Sequence, residues 1–284
     1  MENGALIAAP VVAARCVSYA LMLAVAGVPF HALIDRRARF AASARAMLAA
    51  MAAGALAASL WWAVADVAAM VDMPLAQLGR QTFAAVIGAT PLATVLTVRT
   101  VALFLLFAAI AFRPSPRWLA PPALIALASA AWTGHAGAGS AMLPMSDILH
   151  LGAAALWLGA MLAFLAAMFR KNAQDEVIRS LAAFARTGTI VVAVLFATGT
   201  ANAWLISDGS LPSGPWPRLI AVKVALFLTM LGCAARNRWH LVPALAAGKP
   251  RAARRLSRSL MLETACAVTI VLVVAVAGQL DPHG

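Results

Sequence analysis

Long apolar stretches alternate with short polar segments along the chain, and the alternation occurs eight times in 284 residues. Each apolar stretch has about 20 residues, the length that a helix needs to cross the hydrocarbon core of a bilayer. Lipid offers no hydrogen-bond partner to the backbone, so a stretch that crosses it must be helical. The pattern predicts an all-α polytopic membrane bundle of eight transmembrane helices. The predicted spans are 5–33, 46–66, 91–112, 118–138, 146–169, 184–206, 218–235 and 258–279.

The composition supports a single membrane domain. Hydrophobic residues make up 63% of the chain and charged residues 11%, too few polar residues to cover a soluble protein of this size. No segment between the spans is long enough for a soluble domain, so we expect one integral membrane domain over 1–284. Residues 98–105 in span 3 resemble 222–228 in span 7, which indicates a weak four-plus-four repeat. Chance similarity in so biased a composition is the alternative.

The basic residues are concentrated in alternate loops. Of the 22 Lys and Arg residues, 17 fall between spans 1 and 2, 3 and 4, 5 and 6, and 7 and 8. Positively charged loops remain in the cytoplasm during insertion, so both termini are predicted to be periplasmic. This topology explains the net charge of +12 through loops that contact lipid headgroups. Nucleic-acid binding is not expected, because the cations are divided among short loops without interleaved aromatic residues.

Three cations lie well inside predicted spans, where a charge is costly and needs a reason, and Arg15 in span 1 is the least informative of them. Arg99 lies about 12 Å along the helix of span 3, too deep for easy snorkelling to the surface. We expect it to face the bundle interior near the outer half, partnered by a carboxylate or by backbone carbonyls. Lys223 lies closer to the end of span 7 and can extend more easily to the surface. For Arg99 and Lys223 a structural charge and the lining of a functional cavity remain open.

The segment that joins spans 4 and 5 is the richest in polar and sulfur-containing side chains. The topology places this turn outside, with His135 at the end of one span and His150 at the beginning of the next. A tight turn would bring the two imidazoles close together. Asp147 shares a helix face with His150, and Trp157 and Met161 continue the His150 face at helical spacing.

Imidazole and thioether sulfur together favour copper, because thioether is a soft ligand for Cu(I) and imidazole binds both Cu(I) and Cu(II). Thiolates are vulnerable in an oxidising compartment, which leaves His and Met as the practical soft ligands. Four of the 12 methionines lie at the predicted outer edge, namely Met70, Met73, Met142 and Met145. We therefore predict an outer-facing copper site centred on His135 and His150, with these methionines as additional ligands. Ordinary packing of Met and His between helices is the competing interpretation.

Other residues are predicted to support this site. Asp147, one turn from His150, would orient the imidazole as a hydrogen-bond acceptor. A supporting or pathway position is predicted for Trp157, Met161, Arg99 and Lys223. The sequence contains no nucleophile elbow, phosphate loop, HExxH motif or paired catalytic carboxylates, so an enzyme is not expected.

The stretch from Asp147 to Gly159 resembles the signature of the copper resistance protein D family, in which a helix begins with a histidine and carries Trp-x-Gly seven residues later. Thr198-Gly199-Thr200 and the helix of Lys223 are also similar to that family. The resemblance implies a bacterial inner-membrane protein of eight helices that handles copper. It further implies a separate periplasmic partner of the copper resistance C type, and it carries ligand roles only onto His135 and His150.

Three functions remain open at this stage. The favoured one is a permease that captures copper outside and moves it across the cytoplasmic membrane, with uptake from the periplasm as the expected direction. The second is a membrane b-type cytochrome in which His135 and His150, or another histidine pair, ligate haem. The third is a non-transporting scaffold for a periplasmic copper chaperone.

Overall fold

A computed structural model describes residues 9–36, 40–133, 142–170, 174–209 and 214–280. These residues form ten α-helices, joined by turns and short 3₁₀ or π segments. The helices are α1 Ala9–Ile34, α2 Ala42–Met70, α3 Arg80–Ala89, α4 Leu92–Phe112, α5 Pro116–Ala128, α6 Met142–Met168, α7 Gln174–Ile206, α8 Pro215–Arg236, α9 Val242–Ala246 and α10 Ala252–Ala277.

Eight of these helices correspond to the eight predicted spans. Within the described ranges, seven are long and apolar enough to cross a membrane: α1, α2, α4, α6, α7, α8 with its continuation to Ala246, and α10. The eighth, α5, is shorter and continues as a 3₁₀ turn to Trp132. Together Pro116–Trp132 extend roughly 27 Å, close to the thickness of a bilayer core. The predicted all-helical bundle is therefore confirmed.

Two contacts establish the direction of the helices. The Nη1 atom of Arg15, near the start of α1, donates to the Gly278 carbonyl at the end of α10 at 3.0 Å. At the opposite end, the Phe40 amide donates to the Pro114 carbonyl at 3.1 Å, which joins the α1–α2 and α4–α5 connections. We call the end with Arg15 and Gly278 the outer end, and the other the inner end. A shared end for the start of α1 and the end of α10 requires an even number of crossings, so α5 counts as one.

The helices pack as two similar halves around α1 and α6. In the first half α1 packs on α2 and α5, and α4 packs on α5; in the second α6 packs on α7 and α10, and α8 packs on α10. The two central helices cross at Gly27 and Gly159, and a Cβ added at either residue would collide with backbone of the other helix. The two glycines therefore let α1 and α6 approach each other backbone to backbone. One central helix in each half is consistent with a parallel four-plus-four repeat.

The two halves differ in how their second and third membrane-crossing helices pack against each other. In the first half α2 packs on α4, whereas α7 and α8 make little contact with each other except near the inner end. There Arg238, just after α8, reaches the Ala185 carbonyl of α7 at 3.4 Å. Only 17% of the apolar window of α7 and 6% of that of α8 are buried, against 50% in α1 and α6. We call the gap between the outer halves of α7 and α8 the α7–α8 cleft.

Candidate functional site

His150 lies on the first turns of α6 and turns its imidazole toward α7. Its Nδ1 atom is 2.9 Å from Thr198 Oγ1. The Thr198 hydroxyl also lies 2.6 Å from the Val194 carbonyl, and when it donates its proton there its oxygen accepts from His150 Nδ1–H. In this arrangement Nε2 keeps the lone pair that can bind a metal ion.

A second hydrogen bond between the same helices lies one turn closer to the outer end. The Nδ2 atom of Asn202 donates to Asp147 Oδ1 at 3.3 Å. Since α6 and α7 are antiparallel, a step of one turn back on α6 matches a step of one turn forward on α7. Asp147 was predicted to orient the imidazole of His150, whereas in the structure the Thr198 hydroxyl accepts from the ring and Asp147 accepts from Asn202.

Lys223 brings a positive charge from α8 to this pair of helices. Its charge interacts electrostatically with the carboxylate of Asp147 and with the ring of His150. The charge of Arg15 on α1 also acts on Asp147. The outer end of the second half therefore holds an imidazole, a carboxylate and an amine within electrostatic reach of one another.

A shallow open groove of about 500 Å³ runs between α6 and α7 beside His150. Its lining residues are Met142, Met145, Ser146, Leu149, Ala197, Thr198 and Ala201. Both methionines are largely exposed, with 70% and 61% of their surface accessible. Thr198 both lines this groove and bonds His150, so it connects the groove of the two predicted sulfur ligands to the imidazole.

The other predicted ligands occupy different positions. Met70 and Met73 lie at the end of α2, which packs on α1, α3 and α4 in the first half, and they are not among the residues that line the groove. His135 falls outside the described residues. No group of three or more His, Cys, Asp and Glu side chains arranged to hold a metal occurs in the described ranges. A metal site there would need thioether ligands or His135, and both remain predictions.

Trp157 and Met161 are part of the packed interior of the second half. They are 5% and 4% exposed, and the Trp157 ring meets the edge of Phe227 at 6.0 Å between centroids. Both lie two to three turns from His150 toward the inner end. They therefore lie between His150 and the inner end of the bundle.

Arg99 faces the interior of the first half, as predicted, and is 1% exposed. Its partners differ from the prediction of a carboxylate or carbonyls. Its Nε atom donates to Ser129 Oγ at 3.0 Å and its Nη1 atom to Ser59 Oγ at 3.3 Å. The guanidinium also lies 5.6 Å from the centroid of the Trp62 ring.

Three polar residues of the outer end were not predicted as site residues. Thr198 and Asn202 lie four positions apart on α7 and form the partners of His150 and Asp147. Their spacing on one helix face, matched to the three-residue spacing on α6, is a signal that the sequence contains. Arg15 bonds a carbonyl at the other end of the chain, a contact that no local pattern indicates.

Comparison with known proteins gives matches over most of the chain. The family model described as copper resistance protein D-like, N-terminal domain, matches residues 6–143, and that of copper resistance protein D matches residues 178–277. Copper resistance protein D of Pseudomonas syringae pv. tomato is 34% identical over 178 residues, which cover 56% of this chain and 57% of that protein. The inner membrane protein YebZ of Escherichia coli K12 is 29% identical over 160 residues, covering 54% and 55%. The chain thus spans a little over half the length of these relatives. No solved structure matches it.

Proposed function

Since the chain belongs to the copper resistance protein D family, we propose that it is an inner-membrane protein that captures copper at its outer end and moves it across the cytoplasmic membrane. The observation that carries this proposal is the imidazole of His150. Its Nδ1 atom bonds Thr198, which also lines the groove that contains the two thioethers of Met142 and Met145, and its Nε2 atom is left with a lone pair. A fixed imidazole lone pair with thioether sulfur nearby is a donor set that suits copper, Cu(I) above all.

The proposed site extends His150 with the two groove methionines, Met142 and Met145. His135 would add a second imidazole. Met70 and Met73 would form a separate site at the end of α2 where copper first binds. Asp147 offsets the positive charge of Lys223, which would otherwise oppose the arrival of a cation at His150. The role proposed here includes no catalytic reaction.

The proposed direction is uptake, from the outer end toward the inner end. Met161, with a thioether in the packed interior below His150, would be the next soft ligand along the way. Near the inner end Arg238 bonds the Ala185 carbonyl of α7, and in the proposed route this contact opens as the ion passes. A separate periplasmic copper-binding protein of the copper resistance C type would supply the ion.

Copper uptake into proteoliposomes tests this function. The purified chain should accelerate uptake of Cu(I) supplied outside, and His150→Ala should reduce the rate toward that of empty vesicles. Copper binding without uptake would identify a scaffold for a copper chaperone instead. A visible spectrum of the same preparation decides the remaining alternative, because a haem-binding cytochrome would show an intense Soret band.

We further propose that the outer end faces the periplasm, since 17 of the 22 basic residues fall in the loops of the other face. A green fluorescent protein fused after Gly284 should then stay dark when exported by this chain, because it folds only in the cytoplasm. The same reporter fused after Lys249, between α9 and α10, should fluoresce. The reverse pair of results would invert the proposed topology.

A further inference from the structure

Arg99 holds a permanent charge in the interior of the first half, surrounded by neutral groups. It lies on α4, and its two hydrogen-bond acceptors are the hydroxyls of Ser129, at the end of α5, and Ser59, on α2. Among the described residues no ion pair links Arg99 to an Asp or Glu side chain. A guanidinium cannot release its proton to escape burial, so its charge needs a counter-charge from elsewhere.

The side chains around Arg99 contain more hydrogen-bond donors than acceptors. Ser129 donates its own proton to the Ala126 carbonyl at 2.7 Å. Ser59 and Ser18 lie 3.1 Å apart and share one hydrogen bond, which uses one of their two hydroxyl protons. The Nη2 atom of Arg99 is buried without a partner.

The Trp62 indole adds one more donor to this excess. Its Nε1 atom is also buried without a partner, in a side chain that is 5% exposed. The ring itself lies beside the guanidinium, with 5.6 Å from Arg99 Cζ to the ring centroid. Two N–H groups of neighbouring side chains are therefore buried without an acceptor, and a buried donor without an acceptor is costly.

The second half shows which group is missing. Gly27 and Gly159 occupy equivalent positions in the two halves. Ser18 and His150 are the same number of residues apart as these glycines, and so are Arg15 and Asp147. In the second half the cation of the third crossing, Lys223, interacts with the carboxylate of Asp147. The first half carries Arg15 where that carboxylate would be, so its own third-crossing cation, Arg99, lacks the equivalent counter-charge.

We propose that Arg99, Trp62 and the Ser18–Ser59 pair bind a small monovalent anion, with chloride as the expected ligand. An anion accepts from every unused donor and neutralises the guanidinium, whereas a water molecule would satisfy donors without removing the charge. Arg99 and Trp62 are 1% and 5% exposed, so the expected ligand is as small as a halide ion. The site is independent of the proposed copper site and of its function.

Binding of radioactive chloride to the purified full chain tests the proposal. The protein is prepared in gluconate, an anion too large for the site, and then titrated with ³⁶Cl⁻ in equilibrium dialysis. We expect saturable binding of one chloride per chain, displaced by bromide. Trp62→Phe keeps the ring beside Arg99 but removes the Nε1–H donor, and it should weaken binding roughly 10- to 100-fold, as expected for a hydrogen bond to a charged group.

The matched control is Trp61→Phe, the same substitution one position earlier, on a side chain that is 41% exposed. It should bind chloride as the parent does. Absence of saturable binding to the folded parent would overturn the proposal without any variant. Equal losses in Trp61→Phe and Trp62→Phe would also overturn it, because the chloride would then not contact Trp62. Neither result would bear on copper binding or uptake.

Discussion

Gly159→Ala should prevent the two halves of the bundle from docking. A Cβ at this position would run into the Gly27 carbonyl, and a Cβ at Gly27 would run into the Ala155 carbonyl. Backbone atoms of two long helices cannot move aside as the end of a flexible side chain can. Small residues at a helix crossing permit this close approach in a membrane. We expect a loss of about 3 kcal/mol or more in the free energy of unfolding.

The measurement is the unfolding midpoint of purified protein in detergent, together with its elution profile. Gly27→Ala should give a similar loss, since each glycine touches the other helix. Gly152→Ala is the matched control, because it lies on the same helix and an added Cβ there meets nothing within 4 Å. It should be neutral or slightly stabilising, since alanine favours helix over glycine. A Gly159→Ala protein as stable as the parent would mean that α1 and α6 do not cross at these glycines.

His150→Ala should weaken copper binding by about 10- to 100-fold, or roughly one to three kcal/mol. The variant removes the ring nitrogen that carries the free lone pair. Thr198→Val tests the mechanism more narrowly, because it keeps the imidazole and the volume of the side chain but removes the acceptor for Nδ1–H. The ring could then adopt the other tautomer, so we expect a loss of about ten-fold. Copper titration of the purified chain with a competing chelator measures both.

Two further variants complete this comparison. Thr200→Val makes the same substitution on the same helix, at an exposed threonine whose hydroxyl bonds only its own helix at the Phe196 carbonyl. It should leave copper binding unchanged. His135→Ala examines the second predicted imidazole and should weaken binding as His150→Ala does. If His150→Ala and His135→Ala both bind copper like the parent, the two histidines are structural and copper binds elsewhere.

The fold could be predicted because membrane insertion depends on properties that a short window of sequence contains. The length of each apolar stretch predicted a membrane-crossing helix, and the uneven distribution of Lys and Arg predicted the orientation of these helices. Helix ends were less predictable. The helix α7 begins at Gln174, ten residues before the predicted span, because Asp175 and Glu176 stabilise a helix start that hydropathy does not detect. In contrast, α5 gives way to a 3₁₀ turn at Ser129, although the apolar stretch continues.

The candidate site was predictable only where it depends on one helix. Helical spacing alone is enough to place Asp147 and His150 on one face of α6. Their partners, Asn202 and Thr198, depend on the rotation of α7 about its own axis, which packing against α6 determines. Arg99 shows the same division. The depth of Arg99 followed from the sequence. Its acceptors were predicted wrongly as a carboxylate or carbonyls, because the serine hydroxyls that bond it come from other helices of the first half.

The hydrogen bond from Arg15 to Gly278 can form only when synthesis of the chain is almost complete. Its two residues are 263 positions apart, so a ribosome needs roughly 10 to 50 s to synthesise the acceptor after the donor. During that time α1 is already in the membrane, and its guanidinium has the hydroxyl of Tyr19 on its own helix as a partner. A nascent chain that stalls before α10 therefore has an arginine on its first helix that lacks the Gly278 carbonyl as an acceptor. Synthesis of the last crossing supplies this acceptor.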